Sequence, residues 1–498
     1  MKKLIERYAS KEINEIWSDK NKLKLWQKTE LAVIEAMVEL ERISEEIYQK
    51  IAELLSSHPI DVNWWKEKDV EIKHDLNAFI EERLRFLPPE LQQYFHQKIT
   101  SYDTEEPAFA TMLKESIALV EKYYRELNTV LVEMAKKYRF TIMNGRTHGQ
   151  EAELQSFGKR CLTWLRDLRL DFETLKRSAE NLKYSKISGA IGNYGSIEPE
   201  LEKKSLEILG FQPYYGATQI MPREISAPIA QALCQLVLTL DKIALAIRLG
   251  ARSGRPIFQE PFAKKQKGSS AMPHKKNTIS TEQMEGMGRM AKGFLNMIMD
   301  NIKTWEERAI EQSSVERVAW PDLFHVVIHS LKTMTRVLKG LMVYPDNMLQ
   351  EIVDSRGCYA SSEAKEVLRK LGVQYGLATE DAYRIIQLAA FNAFEPLTEE
   401  KELRDNPLGS LGEADAWLHK FQYEGWIKSK ISIQEIIFKG ELKTSSQLEA
   451  TEDIVQKWNQ VLKQIFADPE NVKKWYQIFL PSYLLRNEAK LYQEIIGE

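Results

Sequence analysis

Helix-breaking residues are scarce in this chain, which has only 23 glycines and 17 prolines in 498 residues. Long stretches contain neither, which excludes a turn-rich all-β fold and predicts long uninterrupted helices. Cysteine is nearly absent: Cys161, Cys234 and Cys358 are far apart and odd in number. That excludes a disulfide scaffold and suits a reducing compartment. No stretch of about 18 uninterrupted apolar residues occurs, so no membrane span is expected. The opening Met1 to Tyr8 has no apolar run of the signal-peptide type, and the cytoplasm is the expected location. An excess of one charge is also missing. The formal net charge is -3, which gives no reason to expect a nucleic acid or an anionic membrane as partner.

What is present fits a globular protein: 43% hydrophobic and 28% charged residues, which argues against disorder. The length suits two to four domains. Leu31, Ile34 and Val38 fall at i, i+3 and i+7, an amphipathic helix pattern. Ile229, Leu233, Leu236, Leu240, Ile243 and Ile247 alternate steps of four and three, which is a heptad seam. Val237, Leu238, Ala244 and Leu245 add apolar residues off that seam. A helix apolar on several sides needs several neighbours, so it belongs inside a bundle or a subunit interface. Strand-type alternation is scarce. The expected fold is all-α, in three helical parts: 1–99, closing after the Pro88-Pro89 turn; 100–348, the long-helix domain; and 349–498, entered after Tyr344-Pro345-Asp346. The charged segment Glu399 to Ala416 reads as a surface excursion.

From Pro261 to Thr281 there is no acidic residue, while Lys264, Lys265, Lys267, Lys275, Lys276 and His274 lie within it. On charge alone this is ordinarily a solvated basic loop. A nucleic-acid patch would also need interleaved aromatic residues, which are missing. With its hydroxyls and backbone N–H groups, the loop could also bracket an anion. The order of residues is more informative than the charge. Gly268-Ser269-Ser270-Ala271-Met272-Pro273-His274-Lys275-Lys276-Asn277 resembles the signature loop (here 262–281) of the fumarase/aspartase superfamily of lyases, and most of all that of its adenylosuccinate lyase branch. Thr278 stands where that family has a proline. Further stretches resemble the family in its order: Glu6-Arg7-Tyr8, Lys73-His74-Asp75, Thr100-Ser101-Tyr102-Asp103, Gly145-Arg146-Thr147-His148-Gly149, Ala217-Thr218-Gln219 with Arg223, and Glu307-Arg308 followed by Ser313-Ser314-Val315-Glu316-Arg317. Singly, each has an ordinary structural reading. Thr100-Ser101 alone would be a helix cap and Glu307-Arg308 a solvated helix face.

The resemblance implies β-elimination of fumarate from an N-substituted aspartate, in the named branch adenylosuccinate and the succinylaminoimidazole-carboxamide nucleotide. By the family's pattern Ser270 is the base, His148 the acid, and Glu282 a carboxylate supporting the active-site histidines. His74 either binds the phosphate side or joins that histidine–carboxylate network. Thr100, Ser101, Thr147, Lys275 and Asn277 are expected around the substrate's carboxylates, and Lys73, Asp75, Gln219 and Met272 are expected to bind the substrate as well. Arg7, Tyr8, Arg308, Ser313 and Arg317 are expected at the ribose and phosphate. The resemblance implies no cofactor and no metal. It also implies a homotetramer with a central helical core and sites shared between subunits. Two departures bear on specificity. Glu306, Ala309, Glu311 and Gln312 alter the phosphate-site element, and added negative charge there weakens phosphate binding unless it points away. They leave open a sister lyase acting on a different N-substituted aspartate or related dicarboxylate. The C-terminal part is also longer than in compact members of the family.

Overall fold

A computed structural model of the chain describes residues 6–272, 274–395 and 431–498, together with Ser410, Glu413, Asp415 and Ala416. Most of the Glu399 to Ala416 segment therefore lies outside the described residues. The fold is all-α, as expected, with long helices and a few short strands. In chain order the elements begin with α1 (Lys11–Ile16), α2 (Asp19–Glu39), α3 (Glu45–Ser57), α4 (Val62–Ile72), α5 (Asp75–Leu84), α6 (Pro89–Gln92) and α7 (Ser101–Lys137). Strands β1 (Ile142–Thr147) and β2 (Gln150–Ser156) follow, then α8 (Phe157–Ala179), α9 (Pro199–Leu209), α10 (Ala227–Gly250), α11 (Ile279–Asp300) and α12 (Glu311–Lys339). The remaining helices are α13 (Pro345–Asp354), α14 (Ser361–Gly372), α15 (Thr379–Ala393), α16 (Ile433–Lys439), α17 (Glu452–Ile465), α18 (Pro469–Gln477), α19 (Pro481–Leu484) and α20 (Glu488–Ile496).

The chain packs as two compact units, neither contiguous in sequence. The first comprises Met1–Leu131, Trp164–Arg252 and Phe258–Met342; the second comprises Val132–Thr163, Ser253–Ile257 and Val343–Glu498. In the first, α10 lies against α11 and α12. Its heptad seam is the reason: Ile229, Leu233, Leu236, Leu240, Ile243 and Ile247 are all fully buried. Each such side chain contributes roughly 1.5–3 kcal/mol. Off the seam, Val237 and Ala244 are buried too, but Leu245 and Leu249 stay about half exposed. The early helices share a core around Trp26, Leu76 and Phe79, which Ala108 and Met112 of α7 complete.

In the second unit, α14 to α18 enclose a core built on Leu368, Ile385, Ile437, Trp458 and Trp475. The β1–β2 hairpin belongs to this unit and departs from the helical pattern. Its two-residue loop is His148-Gly149, with φ of 54° and 78°. Both residues in the left-handed region is the geometry of a type I′ turn, whose twist matches the strands. The register shifts between Asn144 and Arg146, around Gly145. At the end of β2 the Ser156 hydroxyl and N–H donate to Glu488 of α20 at 2.6 and 2.9 Å. Among the described residues, no helix is long and apolar enough to cross a membrane.

Candidate active site

The signature loop connects α10 to α11, and its own residues fold it. The Ser269 hydroxyl accepts the N–H groups of Ala271 and Met272 at 3.3 and 3.1 Å, a serine turn. The Asn277 amide donates to the Gly268 carbonyl at 2.9 Å and closes the loop. A Cβ on Gly268 would lie 1.7 Å from the Lys275 carbonyl oxygen, so only glycine fits there. At the base, the buried Glu260 carboxylate accepts the N–H groups of Ser280 and Thr281 at 3.0 and 3.1 Å, capping α11 with a negative charge. This leaves Ser270, Met272 and Lys275 exposed on the outer side of the loop. Asn277, expected to hold an anion, holds the loop together in this structure. Glu282, in the first turn of α11, lies 3.7 Å from Arg248 and 3.4 Å from the Thr278 hydroxyl. Among the described residues, Arg248 and Thr278 are the polar partners seen for it within one chain.

A second group of expected residues converges from separate stretches of the first unit. Lys73 ends α4 in the left-handed region (φ 55°), which turns the chain so that His74 caps α5. The His74 Nδ1 accepts the Asn77 N–H at 3.2 Å, which puts a neutral ring's proton on Nε2. Asp75 accepts a hydrogen bond from Arg317 at 2.7 Å. Thr100 and Ser101 open α7, where the Thr100 N–H donates to Asp103 at 2.8 Å. Arg308 reaches the Ser101 hydroxyl at 3.5 Å and the Gln219 side-chain oxygen at 2.8 Å, with its guanidinium 4.3 Å over the Tyr102 ring. Ser313 and Arg317 follow one turn apart on α12, and the Ser313 hydroxyl donates to the Ile310 carbonyl.

Tyr102, Asp75, Ser313 and Arg317 border a cavity of about 420 Å³ that also exposes Lys22 and Glu105. Burial, with the Asp75 charge nearby, pushes the Glu105 carboxyl up to about 8. Burial pushes the Lys22 ammonium down against the opposing pull of Asp75. Lys22 sits 4.8 Å over both the Trp26 and Trp65 rings. Sequence reasoning missed Lys22 and Glu105, because nothing in their local spacing marks them. Helix α2 and α7 bring them together only in the fold.

The altered phosphate-site residues have clear positions. Glu306 and Glu311, the added charges, are exposed on the single chain, and Ala309 is half-buried. Gln312 is buried and donates to the Tyr102 hydroxyl at 3.2 Å. Arg223, read from sequence as part of a substrate-contacting element, is enclosed: it bonds Glu106 at 2.7 Å and Glu316 at 2.6 and 3.1 Å. Three buried charges satisfying one another form a structural clamp between α7 and α12.

Other expected residues have different neighbours. The Tyr8 ring packs on His329 at 5.0 Å, and Arg7 is exposed. His329 lies twelve residues beyond Arg317 on α12, or roughly 18 Å along a helix rising 1.5 Å per residue. Thr147 and His148 sit exposed at the hairpin tip, in the second unit. Behind them Arg146 pairs with Glu351 at 3.1 Å and Glu151 at 3.3 Å. A Cβ on Gly145 would lie 2.9 Å from the Glu153 carbonyl oxygen, so this glycine serves the strand pairing.

Comparison with known proteins identifies the family. A family model described as lyase matches residues 1–293. The adenylosuccinate lyase of Aquifex aeolicus is 37% identical over 392 residues, covering 79% of this chain and 89% of that protein. That of Thermotoga maritima is 34% identical over 408 residues, covering 80% and 93%. Among solved structures, a fumarate lyase from Mesorhizobium sp. BNC1 superposes with a TM-score of 0.75 at 18% identity, covering 98% of both chains. A β-carboxy-cis,cis-muconate cycloisomerase from Acinetobacter calcoaceticus superposes with a TM-score of 0.67 at 16% identity, covering 94% of this chain and 97% of that one. At such identity these two speak to the fold alone. With the lyase match over more than half its length and relatives of this similarity, the chain belongs to the fumarase/aspartase superfamily of lyases, in its adenylosuccinate lyase family.

Proposed function

We propose that the chain eliminates fumarate from adenylosuccinate, leaving AMP, and acts likewise on the succinylaminoimidazole-carboxamide nucleotide. One observation carries the reading beyond family membership. Asp75, Ser101, Gln219, Arg308, Ser313 and Arg317 converge around Tyr102, while neither of the added carboxylates, Glu306 and Glu311, borders the cavity. Two of the cations expected at the nucleotide, Arg308 and Arg317, thus pair with groups other than the added carboxylates. This weighs against a sister lyase for a non-nucleotide substrate.

The chemistry follows from the bonds. Ser270 takes the proton from Cβ, the C–H electron pair forms the Cα=Cβ bond, and the Cα–N bond breaks with its pair going to nitrogen. His148 gives that nitrogen a proton. Charge builds on the carboxylate next to Cβ, so cations and N–H or O–H donors must surround it. Lys275, Ser101, Thr100 and Thr147 have that chemistry, with Arg308 beside Ser101. A serine hydroxyl is a weak acid, and the loop's lysines would help ionise it once the loop closes on the substrate's dicarboxylate end. Lys73, His74, Gln219 and Met272 complete the enclosure.

The site is completed by other copies of the chain in a homotetramer. The roughly 18 Å between Arg317 and the stretch of α12 that holds Tyr8 suits such sharing. So do the half-exposed Leu170 on α8, Leu245 and Leu249 on α10, and Met297 on α11, apolar residues that a neighbouring helix would cover. The cytoplasm is the proposed location, in keeping with three free cysteines that suit a reducing compartment. Purified protein given adenylosuccinate should show the fumarate absorbance rising, and Ser270→Ala should lower kcat by on the order of a thousandfold or more. Its melting temperature should not change, because Ser270 is exposed. No turnover by the folded wild type would overturn the function. Unchanged kcat in the variant would overturn the base.

A further inference from the structure

Ser101 lies just after a segment whose backbone does not hold itself. His96 and Lys98 both sit in the left-handed region, with φ of 56° and 65°, where residues with a Cβ are strained. Something outside the segment must fix it. The buried Glu30 of α2 does so from one point. Its carboxylate accepts the His96 N–H at 3.1 Å, pairs with His96 Nδ1 at 2.8 Å, and accepts the Thr104 hydroxyl at 2.7 Å. It therefore grips the chain five residues before Ser101 and three residues after it.

Asp103 adds a second support. It accepts the Thr100 N–H at 2.8 Å and the Ser188 N–H at 2.9 Å, and pairs with the buried Lys186 at 2.6 Å. Asp103 is thus bound up with the 186–189 stretch, whereas all the Glu30 bonds go to the 96–104 segment. Glu30 itself stands on a rigid helix, between the core residues Trp26 and Ile34. No lysine or arginine pairs with it among the described residues, so its charge is held by these donors alone.

We propose that Glu30 is a positioning residue for the Thr100–Ser101 hydroxyls, setting affinity for the dicarboxylate half of the substrate through the 96–104 segment. The inference rests on the reading above, in which Ser101 holds the succinyl carboxylates. It separates two properties that a general loss of structure would change together. Displaced hydroxyls weaken the grip on fumarate more than the grip on AMP, because Arg308 is held more closely by Gln219, at 2.8 Å, than by Ser101, at 3.5 Å.

The test measures KM and kcat for adenylosuccinate, and inhibition constants for fumarate and for AMP, in wild type, Glu30→Gln, Thr104→Val and Ser101→Ala. Glu30→Gln keeps the shape and removes the charge. It should raise KM and the fumarate constant about tenfold, as expected for losing charge-assisted hydrogen bonds, with kcat and the AMP constant changing less than about threefold. Thr104→Val removes one bond, should move the same constants less, and carries the test if Glu30→Gln does not fold. Equal weakening of fumarate and AMP, or no weakening of either, overturns the proposal while Ser101→Ala still raises the fumarate constant. If Ser101→Ala leaves that constant unchanged, the role of Ser101 falls, and the proposal with it.

Discussion

Two adjacent serines divide the work of the signature loop. Ser269 folds the turn through its hydroxyl, and Ser270 is left exposed. The local order of residues makes that legible, because Gly268, Ser269 and Asn277 act on neighbours within nine positions. Glu105 is the opposite case. Its environment comes from α2, α5 and α12, so the sequence around it says nothing of it. Its raised pKa has a consequence for stability. Between about pH 4.5 and 8 the unfolded carboxyl is ionised while the folded one keeps its proton, so the unfolded state gains and stability falls as pH rises. Below that range both forms are protonated and the difference vanishes. Glu105→Gln has no such titration. Thermal melts at pH 5.5 and pH 8 should show wild type losing stability across the interval, and the variant losing less by about a few degrees. Equal losses in both proteins would refute this account of Glu105.

At the scale of elements, the α10 heptad seam was legible to the residue: all six positions are fully buried. Such a pattern has a strong signal because every turn repeats it. The β1–β2 hairpin was not anticipated. Its strands are short, its outward positions are polar, and His148-Gly149 is a weaker turn sign than Asn-Gly. The Glu106–Arg223–Glu316 clamp was also hidden, since its three members lie more than ninety residues from one another in part. It gives a clear prediction. Arg223→Met leaves two buried carboxylates without their cation and should cost roughly 3–5 kcal/mol in urea unfolding. Adding Glu316→Gln should recover part of that loss. A cost under about 1 kcal/mol for Arg223→Met would show that the clamp matters little.

At the scale of the whole molecule, family order and composition led to an all-helical lyase, and the fold and the relatives agree. The proposed tetramer makes a further prediction. Light scattering should give a mass near four chains, and Leu245→Glu with Leu249→Glu should lower both that mass and the activity. Those leucines are half-exposed in one chain, so a monomer would tolerate the charges. A monomeric mass for the wild type, or an active four-chain variant, would contradict the assembly. The sequence by itself determined what depends on neighbours along the chain: helix content, the buried seam, the turn at Ser269, and the order of family motifs. Tertiary structure decided what depends on segments meeting from afar. It left Glu306 and Glu311 exposed on the single chain, enclosed Arg223, set Asn277 to closing its loop, and tied Glu30 to the chain on both sides of Ser101. Periodicity and turn chemistry act over a few residues and are written locally. Burial and charge pairing act through space, so the residues they join carry no mark of one another until the chain is folded.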